Sequence, residues 1–104
     1  MAFRLDKLTI KAQEAVDRAQ DVAADHGNPQ ITALHLLAGL LNEREGIVKP
    51  IFDKIGANIP QLDQIVQSEI SRLPSASGGA PPQLSQELSS VLEAAAREAD
   101  AMKD

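Results

Sequence analysis

The sequence predicts an all-α fold: one complete four-helix repeat followed by the first helix of a second, truncated repeat. Three observations carry this. No segment alternates apolar and polar residues as a half-buried strand would. Apolar residues instead recur at helical spacing in stretches punctuated by Gly, Pro and Asn. Finally, one apolar stripe returns. Leu8-Thr9 with Ala12, Ala15, Val16, Ala19 and Ala23 is echoed by Leu84-Ser85 with Leu88, Val91, Leu92, Ala95 and Ala99, at one offset of 76 residues (Thr9 to Ser85).

The first helix is expected from about Thr9 to about His26. Leu5, Leu8, Ala12, Ala15, Val16, Ala19, Val22 and Ala23 fall in one arc at about 100° per residue, with charged residues filling the rest. Glu14 and Arg18 are spaced as an i,i+4 ion pair worth roughly 0.2–0.5 kcal/mol. Gly27-Asn28-Pro29 ends the helix, since Gly accepts a left-handed residue and Pro blocks continuation. Thr32 is placed to cap a second helix, in which Ala33, Leu34, Leu36, Leu37, Ala38, Leu40 and Leu41 cover most of the circumference. A helix apolar nearly all round belongs at the centre of the domain.

Asn42 to Gly46 reads as a polar connection. Ile47, Val48, Ile51, Phe52 and Ile55 then make a short third helix ending at Gly56. Pro50 belongs in its first turn, because deeper inside it costs about 3 kcal/mol. Asn58 caps a fourth helix, with Pro60 in the first turn, Gln61 placed for a capping box and a stripe of Leu62, Ile65, Val66, Ile70 and Leu73. These divisions put the first repeat at residues 1–73, a Pro/Gly/Ser linker at 74–83 and the opening helix of the second repeat at 84–104. The linker is expected to flex at Gly78-Gly79 and to stiffen at its prolines.

Composition narrows the function. The chain has 104 residues, 43% of them hydrophobic and only 2% aromatic, so its core must be aliphatic. Net charge is −5 and the ten basic residues are scattered, which argues against binding a phosphate backbone. With no cysteine there is neither a disulfide framework nor a thiolate metal site. The N-terminus lacks an apolar signal region, and no stretch approaches the roughly 18 apolar residues of a membrane span. A cytoplasmic protein is the expectation.

No catalytic constellation stands out. His26 and His35 lie on different helices without acidic partners at ligand spacing, so both read as structural. No phosphate-cradling glycine motif is present. The fifteen acidic residues fall mostly on solvent faces, where nothing separates two carboxyl pKa values for acid–base work. Thr9 carries two readings. It is a helix cap worth about 1 kcal/mol, and it also sits where free helix N–H groups meet a ligand carbonyl. On its own, capping is the better. Ser85 carries the same pair of readings.

Three stretches carry a resemblance. They are Leu8-Thr9-Ile10-Lys11-Ala12-Gln13-Glu14-Ala15, Ile31 through Leu41 with its His35-Leu36-Leu37, and Gly46 through Gly56. They resemble the Clp N-terminal repeat. The ending Arg72-Leu73-Pro74, the Gly/Pro linker and Ser85-Gln86-Glu87-Leu88 are most similar to its form in ClpB-type AAA+ disaggregases. The resemblance implies a domain tethered to a homohexameric ATPase ring. Such a domain holds two four-helix repeats related by pseudo-twofold symmetry, binds unfolded or aggregated polypeptide in an apolar groove between them and passes it to the pore, in concert with Hsp70-type co-chaperones.

ATP and Mg would serve the parent protein, with no cofactor in this chain. The resemblance assigns substrate-binding roles to Thr9 and Asp104. Ile10, Val91 and Leu92 are the expected apolar contributors. Leu34 departs from the Glu that often precedes the motif's His. An adaptor-docking domain of a ClpC- or ClpA-type protease partner, or a regulatory helical cap on the ring, are the alternatives. The fifth helix, deprived of repeat partners, is expected either to pack on the first repeat or to exchange with a second chain.

Overall fold

Helix-forming stretches condense around two aliphatic clusters in the computed structural model, which describes residues 9–43, 46–76 and 81–102. The order is α1 (Ile10–Asp25), β1 (Gln30–Ile31), α2 (Ala33–Leu41), α3 (Val48–Lys54), α4 (Ile59–Ser71), β2 (Gln83–Leu84) and α5 (Gln86–Met102).

α1 starts where Thr9 Oγ1 accepts the Ala12 N–H at 3.1 Å. It ends in a Schellman motif: Gly27 N–H donates to Ala24 O and Asn28 N–H to Ala23 O, with Gly27 at φ +68°. The C-terminus of α3 repeats this around Gly56 at φ +81°, through Gly56 N–H to Asp53 O and Ala57 N–H to Phe52 O. Asn58 Oδ1 caps α4 by accepting the Gln61 N–H at 3.0 Å. Pro50 and Pro60 both lie in first turns, where their missing N–H groups have no helical partner to lose.

α2 divides the core. On one side Val16, Ala19 and Ala23 of α1 meet Ile31, Leu88 and Leu92, with Leu36, Leu84 and Ala96 packed around them. On the other, Ala38 and Leu41 meet Val66 and Ile70 of α4, closed over by Val22, Leu34, Leu37, Phe52, Ile59 and Leu62. α1 and α2 touch most closely at Gly39. A Cβ there would lie 3.3 Å from Arg18 Cβ and 3.4 Å from Ala15 O. That approach turns Arg18 along α2, where its guanidinium meets Glu43 at 2.6 Å. Arg18 is therefore paired with a residue just beyond the end of α2 and not with Glu14, as its spacing had suggested.

One element escaped the periodicity reading. Gln30–Ile31 and Gln83–Leu84 form a parallel two-residue ladder, through Gln83 N–H to Pro29 O and Ser85 N–H to Ile31 O. Two residues are too short to display alternation, so only three-dimensional contact reveals them. The ladder, together with Ala76 N–H to Gly27 O at 2.8 Å, fastens the described parts of the 74–83 stretch to the loop after α1. Gly78 and Gly79 lie outside the described residues.

α5 packs on the first repeat by Leu88 and Leu92. Its start copies that of α1. Ser85 Oγ accepts the Leu88 N–H at 3.0 Å and Ser85 O the Ser89 N–H at 2.9 Å, as Thr9 does for Ala12 and Gln13.

Candidate functional site

The residues singled out from the sequence separate into different environments. Thr9 is exposed, with its hydroxyl oxygen engaged in the α1 cap. Ile10, the first residue of α1, is 73% exposed. Val91 is 51% exposed on α5. Leu92 is 6% exposed and belongs to the core with Val16, Ala19 and Leu88, so its reading as a surface contributor is corrected. Adjacent helix positions diverge by about 100°, and a stripe wide enough to include both cannot say which one turns inward. Asp104 lies outside the described residues.

The 76-residue offset relates two faces with opposite fates. In α1, Ala15 and Ala19 are buried and Gly39 of α2 rests on their backbones. Their counterparts in α5, Val91 and Ala95, are exposed, as is Ala99, the counterpart of buried Ala23. Met102, 78% exposed, extends the same line. At about 100° per residue Val91, Ala95, Ala99 and Met102 share one narrow arc. The sequence pattern included three of these four as stripe residues but could not tell that this stripe stays exposed. A second exposed line, Ile47, Ile51 and Ile55, runs along α3, whose Phe52 turns inward.

The polar chemistry is concentrated at the start of α2. His35 is fully buried. The Thr32 N–H donates to His35 Nδ1 at 2.8 Å, so this nitrogen is unprotonated. The proton then resides on Nε2, which donates to Asn28 Oδ1 at 2.9 Å. Asn28 Nδ2 in turn donates to Pro74 O at 2.9 Å. His35 thus fills the N3 role usually taken by Glu or Gln in a capping box. A cavity of about 100 Å³ opens beside this chain of bonds, lined by Asn28, Pro29, Gln30, Thr32, Leu73 and Pro74.

Burial, with His26 as a lesser influence, holds the His35 pKa below its usual 6.5. The unfolded chain therefore binds more protons than the folded one just below that value. Stability from this network is complete above about pH 6.5 and declines as pH falls towards the folded pKa. Urea unfolding followed from about pH 7.5 to about pH 5.5 is expected to show this decline. His35→Gln, which can retain the capping-box role, is expected to flatten it.

Among the described residues, no group of three His, Cys, Asp or Glu side chains could hold a metal ion. None of the described helices is long and apolar enough to cross a membrane. What remains is a helical repeat domain whose polar groups serve caps and packing and whose exposed apolar residues are ordered along helix faces.

The chain belongs to the Clp repeat (R) N-terminal domain family, whose model matches residues 7–104. It is 43% identical over 104 residues to the chaperone protein ClpB of Rhodopirellula baltica, a match spanning all of this chain and 12% of that protein. Among solved structures, the N-domain of ClpV from Vibrio cholerae is similar with a TM-score of 0.77 at 23% identity, over 91% of this chain and 58% of the other. A complex of the ClpV N-domain with a VipB peptide is similar with a TM-score of 0.76, also at 23% identity, over 91% of this chain and 59% of the other.

Proposed function

We propose that this chain is the substrate-binding N-terminal domain of a ClpB-like, ATP-dependent disaggregase. It binds unfolded or aggregated polypeptide and hands it to a homohexameric AAA+ ring in the cytoplasm, working with an Hsp70-type co-chaperone. The chain itself has no catalytic task, and ATP and Mg act in the parent protein.

The observation that carries the reading is the uncovered stripe Val91, Ala95, Ala99 and Met102 on α5. An aliphatic surface attracts apolar segments without direction or sequence preference, which suits many unfolded clients. Small side chains let an extended chain approach the helix closely. Ile10 adds apolar area at the α1 start, while Thr9 retains a hydroxyl proton to offer a client carbonyl. Asp104 is the acidic group proposed to meet client backbone N–H groups. The similarity to a ClpV N-domain solved with a peptide is in keeping with polypeptide as the ligand class.

Fluorescence anisotropy of labelled casein, an unfolded client, titrated with this chain tests the reading. Weak binding is expected, because clients must pass onward. Val91→Asp is expected to reduce it about tenfold or more, since burying Val is worth about 1.5–3 kcal/mol and a charge there adds a desolvation cost. Retained binding in Val91→Asp, with helicity unchanged, would exclude the stripe. No binding by the wild-type chain would exclude the reading itself.

A further inference from the structure

Among the described residues, Pro74, Ala76, Gln83 and Ser85 are all hydrogen-bonded to one loop, residues 27–31. Ala76 N–H reaches Gly27 O, Gln83 N–H reaches Pro29 O, and Ser85 N–H reaches Ile31 O. Main-chain bonds of this kind depend on where the loop sits. The loop itself is held by the Schellman bonds at the end of α1 and by buried Ile31, and one side-chain relay ties it to the segment after α4, from the Thr32 N–H through the His35 ring and the Asn28 amide to Pro74 O. Each link in the relay has one workable polarity. Thr32 N–H can only donate and Pro74 O can only accept, so the ring between them must carry its proton on Nε2 alone.

We propose that His35 is a proton-operated latch, whose neutral ring holds residues 74–76 and 83–85, and with the latter the start of α5, against the loop after α1, and whose protonation releases them. A second proton on the ring falls on Nδ1, directly opposite the Thr32 N–H. Two donors then face each other, and the Thr32 amide at the α2 N-terminus loses its acceptor. The positive end of the helix dipole opposes the new charge as well. Thr32 Oγ1, 3.0 Å from Nδ1, can accept the new N–H by turning its own hydroxyl hydrogen away, but the Thr32 N–H is still left without its acceptor.

Among the described residues of the loop, α2 and the segments that pack on them, no carboxylate stands beside the ring. Residues 27–41 contain no charged side chain besides His35, and residues 73–76 and 81–86 contain none at all. The titratable group set against the ring is His26, at the C-cap of α1, and its charge opposes protonation too. The lowered pKa of the buried ring agrees with this setting. Relief comes from opening the latch, which admits water to the ring.

Amide hydrogen exchange on the intact chain, corrected for intrinsic rates, tests this between about pH 7.5 and about pH 5.5. The Ala76, Gln83 and Ser85 amides are expected to lose protection about five- to tenfold, approaching the tenfold per pH unit that one proton allows. The Ile51 and Ile55 amides of α3, a helix with no buried residue, open locally and are expected to hold steady. The loss is expected to persist in His26→Gln and to vanish in His35→Gln. An unchanged latch, an equal loss at Ile51 and Ile55, or a loss abolished by His26→Gln would each overturn the proposal. The His26→Gln variant changes only an exposed residue, so the test stands even where His35→Gln fails to fold.

Discussion

Leu88→Ala is expected to lower the unfolding free energy by about 3 kcal/mol, within the 2–5 kcal/mol typical of emptying a buried leucine site. Leu88 has no exposed surface and stands among Val16, Ala19, Ala23, Ile31 and Leu92. These neighbours belong to α1, to the ladder and to α5 itself. Small alanines dominate the α1 side, and they cannot swing in to fill the gap. The loss is a large share of the 5–15 kcal/mol that small domains possess. Val91→Ala, one turn on but half in solvent, is expected to stay within about 0.5 kcal/mol of the wild type. Urea unfolding of both variants checks the contrast. A Leu88→Ala chain as stable as the wild type would mean that α5 does not rest on the first repeat in solution.

The contrast between Leu88 and Val91 also marks how far the sequence could be read. Periodicity found the α1 stripe because Ala15, Val16, Ala19 and Ala23 are buried by one regular helix face. The caps at Thr9, Asn58 and Ser85 were legible because each acts within three residues of itself. The family was legible too, from motifs within α1, α2 and α3. What stayed hidden depends on distant partners. The Asn28 amide meets a carbonyl 46 residues away, and nothing local announces that His35 aims it there. Arg18 had a plausible partner one turn off, and lost it to Glu43 because Gly39 brings two helices into contact. The candidate face failed in the same manner. The offset marked Val91 and Leu92 as stripe residues, but only packing decides that Leu92 turns inward while Val91, Ala95 and Ala99 remain in solvent.

Gly39→Leu is expected to be the most damaging change on α2, costing about 3 kcal/mol or more, at the upper end of overpacking penalties. Gly39 lies in the middle of α2, where glycine is less favourable than alanine by about 1 kcal/mol on propensity alone. A substitution there would therefore stabilise an isolated helix. Contact with α1 reverses the sign. A Cβ at this position already stands 3.3 Å from Arg18 Cβ, 3.4 Å from Ala15 O and 3.5 Å from Ala19 N. Two of those atoms are backbone and cannot rotate away, so a longer side chain must separate the helices. Separation uncovers Ala15 and Ala19 and draws Arg18 from Glu43. Gly39→Ala, with one carbon to place, is expected to be nearly neutral, as propensity offsets the tight contact. A urea series over Gly, Ala and Leu at this position checks the ordering, and a Leu variant as stable as the wild type would refute close α1–α2 contact. The same series bears on the open face of α5. Ala15 and Ala19 are covered because a residue without a side chain lies across them, and Val91 and Ala95 present a comparable surface with nothing over it among the described residues. A ligand that fills this face must approach as closely as Gly39 approaches α1, which favours an extended backbone or small residues over bulky ones.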